Sequence, residues 1–180
     1  MKRIILASFL LLAIVSIGST DPQEPEWGVT QEQVKQMEEG VFEEGIDNGL
    51  PYLTYRYPES TITYEFDQEG RLYETSYRIT PNESDRLSRY RQLRKTFIDE
   101  YGKPNIEVFT SASSRVEWET GRTSVRLSVQ FSEPSFHVVY SNTPMSEGVS
   151  RFRLLRWCDQ MEKERMGRLR NLELISLTSE

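Results

Sequence analysis

The stretch 53–79, LTYRYPESTITYEFDQEGRLYETSYRI, decides the fold. Three runs in it alternate strictly: Leu53, Tyr55, Tyr57; Ile62, Tyr64, Phe66; and Tyr73, Thr75, Tyr77, Ile79. An alternating run is a strand with one apolar face. A four-residue loop over Pro58–Thr61 sets Tyr57 against Ile62, Tyr55 against Tyr64 and Leu53 against Phe66. A second loop over Asp67–Gly70, with Gly70 supplying a positive φ, sets Tyr64 against Tyr73 and Ile62 against Thr75 on that same face. A slip of one residue would turn every one of these side chains over, so their agreement predicts a three-stranded antiparallel meander.

The same pattern returns further along. A two-residue turn at Thr120-Gly121 places Val116 against Val125 and Trp118 against Thr123, with Glu119 opposite Arg122 and Arg115 opposite Arg126 on the outer face. A loop over Ser132–Ser135 then sets Phe131 against Phe136, Val129 against Val138 and Leu127 against Tyr140. A helix precedes each meander. Thr30 and Gln33 have capping-box spacing ahead of a stripe of Val34, Met37 and Val41 that ends near Gly40 or Gly45. Asn82 is the expected N-cap of the second helix, with Glu83 and Asp85 in its first turn; Leu87, Tyr90, Arg94, Phe97 and Tyr101 follow at helical steps until Gly102 and Pro104 stop it. The helix starts lie about fifty residues apart, which suggests a duplicated plan. Pro144 opens a last segment with Val149, Phe152, Leu155, Cys158, Met161, Met166, Leu169 and Leu172 on one helical face. The other face carries Arg151, Arg153, Arg156, Arg165, Arg168 and Arg170.

These elements predict an α+β protein: two antiparallel β-meanders, or one continuous antiparallel sheet, with helices packed on one face, plus a C-terminal amphipathic helix. Upstream, Lys2 and Arg3 precede an apolar run over 4–17, followed by Gly18, Ser19 and Thr20, the layout of a signal peptide. The predicted divisions are a signal peptide over 1–18, a flexible tether over 19–26, a helix-βββ-helix-βββ domain over 27–143, and a C-terminal helix and tail over 144–180. The protein is therefore expected to be exported, periplasmic or extracellular. Removing Lys2 and Arg3 from the 22 basic residues leaves 20 against 28 acidic ones, a balance unsuited to nucleic acid. With Cys158 as its one cysteine the chain can form no internal disulfide, and no cysteine stands at the cleavage point to take a lipid. Cys158 reads as a small buried hydrophobe.

The Trp27-Gly28-Val29-Thr30 entry to a helix, the tyrosine-rich hairpins, and the Tyr101-Gly102-Lys103-Pro104 stop before a strand bearing Trp118 resemble small exported bacterial proteins of the BamE-like (SmpA/OmlA) and β-lactamase-inhibitor-protein type, over residues 27–141. The resemblance implies helices on one face of an antiparallel sheet and protein binding in the cell envelope, without catalysis. The chain departs from the BamE lipoproteins in lacking their anchoring cysteine and in adding the arginine-bearing C-terminal segment.

Catalytic chemistry finds few candidates, and no cofactor or metal is expected. His137 is the sole histidine and alternates onto the outer sheet face, where a solvated strand residue is the reading preferred over a general base. Glu117 and Glu119 share a strand face about 7 Å apart by strand rise, a spacing that suits paired carboxylates in glycoside hydrolysis. Arg115, Arg122 and Arg126 lie near them, so a charge ladder is the simpler reading. The crowded tyrosines read as a sheet packed beneath helices, although Tyr also suits binding surfaces. The C-terminal helix is read as packing back onto the sheet, pairing with another chain, or lying on an anionic membrane; Asp159, Glu162, Glu164 and Glu173 make the last the weakest. Its partner-binding candidates are Arg165, Arg168 and Arg170. The expected function is thus a non-catalytic cell-envelope or secreted protein-binding module, with a hydrolase using Glu117 and Glu119, or a structural protein self-associating through the C-terminal helix, as alternatives.

Overall fold

A computed structural model describes residues 22–154, 156 and 160–162. The readings made on the signal peptide and on Cys158, Arg165, Arg168 and Arg170 lie outside these residues. The chain is α+β, with one eight-stranded antiparallel sheet. Helix α1 (Gln31–Met37) leads to β1 (Phe42–Asp47), β2 (Leu50–Arg56), β3 (Ser60–Phe66) and β4 (Leu72–Ile79). Helix α2 (Arg86–Tyr101) leads to β5 (Ile106–Phe109), β6 (Ser113–Thr120), β7 (Thr123–Gln130) and β8 (Phe136–Asn142). The sheet order β1-β2-β3-β4-β8-β7-β6-β5 joins two four-stranded meanders at their last strands, the arrangement that a two-fold axis through the β4–β8 seam would generate.

Four strands, not three, follow each helix. The extra strands β1 and β5 lie at the two edges, where a strand has one neighbour and no need to alternate in polarity. Val41, read as the last member of the helical stripe, lies instead on the approach to β1, and Gly45, one of the two expected helix ends, lies within β1. The capping box at Thr30 and Gln33 forms, but α1 ends at Met37 and buries only Val34, leaving Met37 and Val41 in solvent. Asn82 does not cap α2: its carbonyl accepts from the Asp85 N–H in a preceding turn, and the helix starts after Asp85. The far end follows the sequence, since Gly102 takes φ +81° and donates its N–H to the Ile98 carbonyl at 2.9 Å.

Every hairpin in the two predicted meanders is shifted by two residues from its expected register. Leu53 faces Tyr64 and Tyr55 faces Ile62, because the β2–β3 loop is only Pro58-Glu59, with Tyr57 and Ser60 exchanging backbone hydrogen bonds. Val116 faces Leu127 and Trp118 faces Val125, because the turn centres on Gly121-Arg122, with Gly121 at φ +58°. Val129 faces Phe136, because the Phe131 N–H turns away to the Ala112 carbonyl. A shift of two preserves the face, so the apolar surface survives intact.

Tyr73 is the exception. It was expected on the core face opposite Tyr64, whose partner is in fact Thr75. The Asp67 carboxylate holds the Glu69 and Arg71 N–H groups at 3.0 and 2.9 Å, Gly70 sits at φ +73°, and a bulge after Glu65 sets Phe66 against Leu72. The extra residue in the bulge turns Tyr73 to the opposite side, where it is buried with Leu50 and Val149.

One buried cluster gathers Leu53, Tyr55, Ile62, Tyr64 and Tyr77 with Val116, Trp118, Val125, Leu127 and Tyr140, and includes Val34 of α1 and Tyr90, Leu93 and Phe97 of α2. Phe97 meets Trp118 edge-on at 5.7 Å and Tyr140 at 6.3 Å, a favoured aromatic geometry. Residues ahead of α1 are tied to the same sheet: Tyr77 donates to the Gln23 carbonyl, and Trp27 Nε1 donates to Thr123, which donates to Glu24. Residues 143–154 are helical, and Val149, Met145 and Phe152 gather with Leu50 and Tyr73 on the other face.

Candidate functional site

The outer face of the sheet is where polar side chains converge. In its second half Arg126 lies directly across from Glu117, not from Arg115, because of the two-residue shift. One carboxylate oxygen of Glu117 accepts from Arg115 Nε and Nη2 at 2.8 and 2.5 Å and from Arg126 Nε at 2.5 Å. Its side chain is 8 % exposed while the side chains of Arg115 and Arg126 are 51 % and 44 % exposed, so one buried anion anchors two half-exposed cationic side chains. Burial alone would raise the Glu117 pKa, but the hydrogen bonds and charges of Arg126 and Arg115 outweigh it and hold the carboxyl below its usual range.

Glu119, the other half of the alternative carboxylate pair, is exposed, and its backbone N–H is taken by the Asn105 side chain. A glycosidase acid needs a raised pKa, and Glu117 is shifted in the opposite direction. The carboxyl on this face that does rise is Glu74, pushed up first by burial and then by the nearby charge of Glu65, although Ser141 donates to it at 2.8 Å. Glu74 stands in register with Ser141, Ser124 and Glu119. Three strand spacings therefore separate it from β6, roughly 14 Å, beyond the range over which two carboxylates share a glycosidic bond. The geometry makes Glu117 the clamp of an arginine pair.

The sign of its pH effect follows. A carboxyl whose pKa is lower in the fold contributes stability above its unfolded value near 4.3, and that contribution fades as pH falls through the folded value. Glu117→Gln is expected to cost about 1–2 kcal/mol at neutral pH, the scale of charge-assisted hydrogen bonds to half-exposed partners. The deficit should shrink below about pH 4, where the wild-type carboxyl is also being neutralised. Urea titrations across that range check it, and a deficit that persists in acid would contradict the clamp.

His137 lies on β8 between Arg78 of β4 and Ser128 of β7. It is half-buried, and burial with the Arg78 charge lowers its pKa, so it is neutral at physiological pH. Arg78 is exposed and reaches Ser135. Arg78, Arg115 and Arg126 share this half of the face with Glu74, Glu117 and Glu119, so its formal charges balance, with Arg115 and Arg126 both paired to Glu117. Among the described residues no three metal-ligating side chains come together, and no helix is long and apolar enough to cross a membrane.

The first half of the face is occupied. Arg153 donates to Glu65 at 2.9 Å and to the Tyr73 hydroxyl at 3.1 Å, and Arg156 reaches the Asn48 carbonyl. Beside this contact Ile46, Leu50, Tyr52, Thr54 and Thr63 line an open depression of about 370 Å³ whose one deep carboxylate, Glu65, is already engaged. Sequence reasoning missed two polar joints. Glu38 accepts from both Tyr57 and Tyr64, and Arg153 links Glu65 to Tyr73. Glu38 lies just beyond α1 in a segment without periodicity, and nothing in its neighbours pointed to a role. Compared with known protein families, curated proteins and solved structures, the chain matches none.

Proposed function

We propose that the chain is a non-catalytic binding module of the cell envelope or of the secreted fraction, which engages a protein partner through the uncovered half of its outer sheet face. The apolar run over 4–17 supports export, and the similarity of its entry and stop motifs to exported bacterial binding proteins agrees with this role. In this reading both helices lie on the core face. The C-terminal amphipathic helix covers the first meander on the other side, and the surface of β4, β8, β7 and β6 is left to the partner. The observation that carries the proposal is the arginine pair on Glu117. Two guanidiniums held in place by a buried carboxylate, on side chains about half exposed, are preorganised donors for carboxylates on a partner. The partner is accordingly expected to present an acidic patch, and orienting the arginines in advance reduces the entropy lost on binding.

The test is capture from the envelope extract of the source cell by the immobilised chain, against the double variant Arg115→Glu with Arg126→Glu. Wild type should retain a saturable partner and the variant should lose it by at least about tenfold, the effect of about 1.4 kcal/mol. Equal capture by both would sink the proposal. Capture that instead depends on residues 163–180 would transfer the role to the segment bearing Arg165, Arg168 and Arg170. A hydrolytic activity abolished by Glu117→Gln with Glu119→Gln would replace binding by catalysis.

A further inference from the structure

The two edges of the sheet are defended differently. β1 carries Glu43, Glu44 and Asp47, charges that discourage a second strand from pairing there. β5 has no such protection: all four of its residues are exposed, and Ile106, Val108 and Phe109 are 47, 48 and 75 % exposed. Its single charge, Glu107, is held within the chain by Arg94 at 2.5 Å.

The backbone of β5 has a definite polarity. Thr110 donates its N–H to the Ser113 carbonyl at 2.9 Å, and in an antiparallel ladder the bonded residues alternate. Val108 and Ile106 therefore turn their backbone groups toward β6, while Glu107 and Phe109 present theirs outward. We propose that β5 pairs antiparallel with β5 of a second copy, about a two-fold axis at Val108, and so joins two sheets into one of sixteen strands. In this register Glu107 and Phe109 of each copy exchange backbone hydrogen bonds, making two bonded pairs, and Val108 faces Val108 of the second copy in a non-bonded pair.

Of the two alternatives that keep the faces aligned, two residues away in pairing, one sets Glu107 against Glu107, like charges directly opposite, and the other centres on Phe109, the last residue of β5, and leaves Glu107 to pair beyond the strand. A second copy fits better than an unrelated strand, because the outward bonding groups, the two valines and the neutralised glutamate are self-complementary. The contact also closes on itself. It consumes both unguarded edges and leaves only the acidic β1 edges exposed, so the assembly stops at two. The contact is small and the affinity correspondingly modest. It is independent of the arginine face, which could fail as a binding site without affecting it.

The test is sedimentation of the purified protein at micromolar to millimolar concentration, with disulfide trapping. A non-bonded pair brings Cα atoms to about 4.5 Å, within disulfide reach. In a Cys158→Ser background, Val108→Cys should oxidise to a covalent dimer at least about tenfold faster than Glu107→Cys, whose twin lies diagonally away. Wild type should sediment as a concentration-dependent dimer, and Val108→Lys as a monomer with unchanged circular dichroism. A wild type that stays monomeric throughout, equal trapping at the two positions, or a dimer that survives Val108→Lys would each overturn the proposal.

Discussion

Raising the pH past about 10 is expected to unfold the protein cooperatively within one to two pH units, with the absorbance of the buried tyrosinates appearing only as the fold is lost. Tyr55, Tyr64, Tyr73, Tyr77, Tyr90 and Tyr140 are each less than a tenth exposed. Burial raises the pKa of every one, Tyr77 for instance being pushed up to about 12. Carboxylates add to it, Glu38 beside Tyr64 and Glu65 beside Tyr73. A phenol whose pKa is higher in the fold than in the unfolded chain contributes stability below the unfolded value near 10. That contribution is lost as pH rises from there toward the folded value. Between the unfolded and folded values each such group costs about 1.4 kcal/mol per pH unit, so the four with large shifts, Tyr64, Tyr73, Tyr77 and Tyr140, together cost about 5 kcal/mol per unit against a total stability of about 5–15 kcal/mol. Circular dichroism and tyrosinate absorbance followed through the same titration should give coincident transitions. An ordinary phenol titration with the fold intact would show that these hydroxyls reach water.

Trp118→Ala is expected to destabilise the protein by about 3–5 kcal/mol, the range for truncating a large buried aromatic. Trp118 is completely buried, packs edge-on against Phe97, and donates its Nε1–H to the Gly102 carbonyl at 3.0 Å. That last bond ties β6 to the end of α2, so the substitution removes packing between sheet and helix and leaves a carbonyl of the helix stop without its donor. Trp118→Phe keeps most of the area and loses the bond, and its cost should be smaller. Urea midpoints of the two variants separate the contributions, and a loss of under about 1 kcal/mol for Trp118→Ala would be inconsistent with a filled core.

The faces of the strands were legible in the sequence and their registers were not, for one reason. Side chains alternate with period two, so Leu53, Tyr55, Ile62, Tyr64, Val116, Trp118, Leu127 and Val138 keep their side under a shift of two residues, and the sequence pattern is blind to such shifts. Register depends on the loops. There a carboxylate such as Asp67, or a turn starting one residue later at Gly121, decides the pairing, and neither leaves a periodic trace. Tyr73 was misplaced because a bulge inserts a single residue, the one irregularity that does change the face. The edge strands went unread because the residues of β1 and β5 are nearly all exposed and follow no inward-outward alternation. At the candidate site, Glu117 and its arginines were legible as a group of charges on one face. Their bonding, in which one carboxylate oxygen of Glu117 takes both arginines, follows from the shifted register.

The seam between β4 and β8 governs how such a chain is assembled. The other strand pairings are hairpins between consecutive strands, closing over short loops. Among the described strands only the seam pairs residues far apart in sequence, Glu74 with Ser141 and Ile79 with Phe136. Closing so long a loop costs entropy before any contact repays it, so the two half-sheets are expected to form early, with their docking as the slow step, which stopped-flow refolding of a seam variant such as Val138→Ala would check by a lower folding rate. Until then β4 and β8 are raw edges lined with Tyr77, Val138 and Tyr140, and the newly made chain is at its most aggregation-prone in that interval.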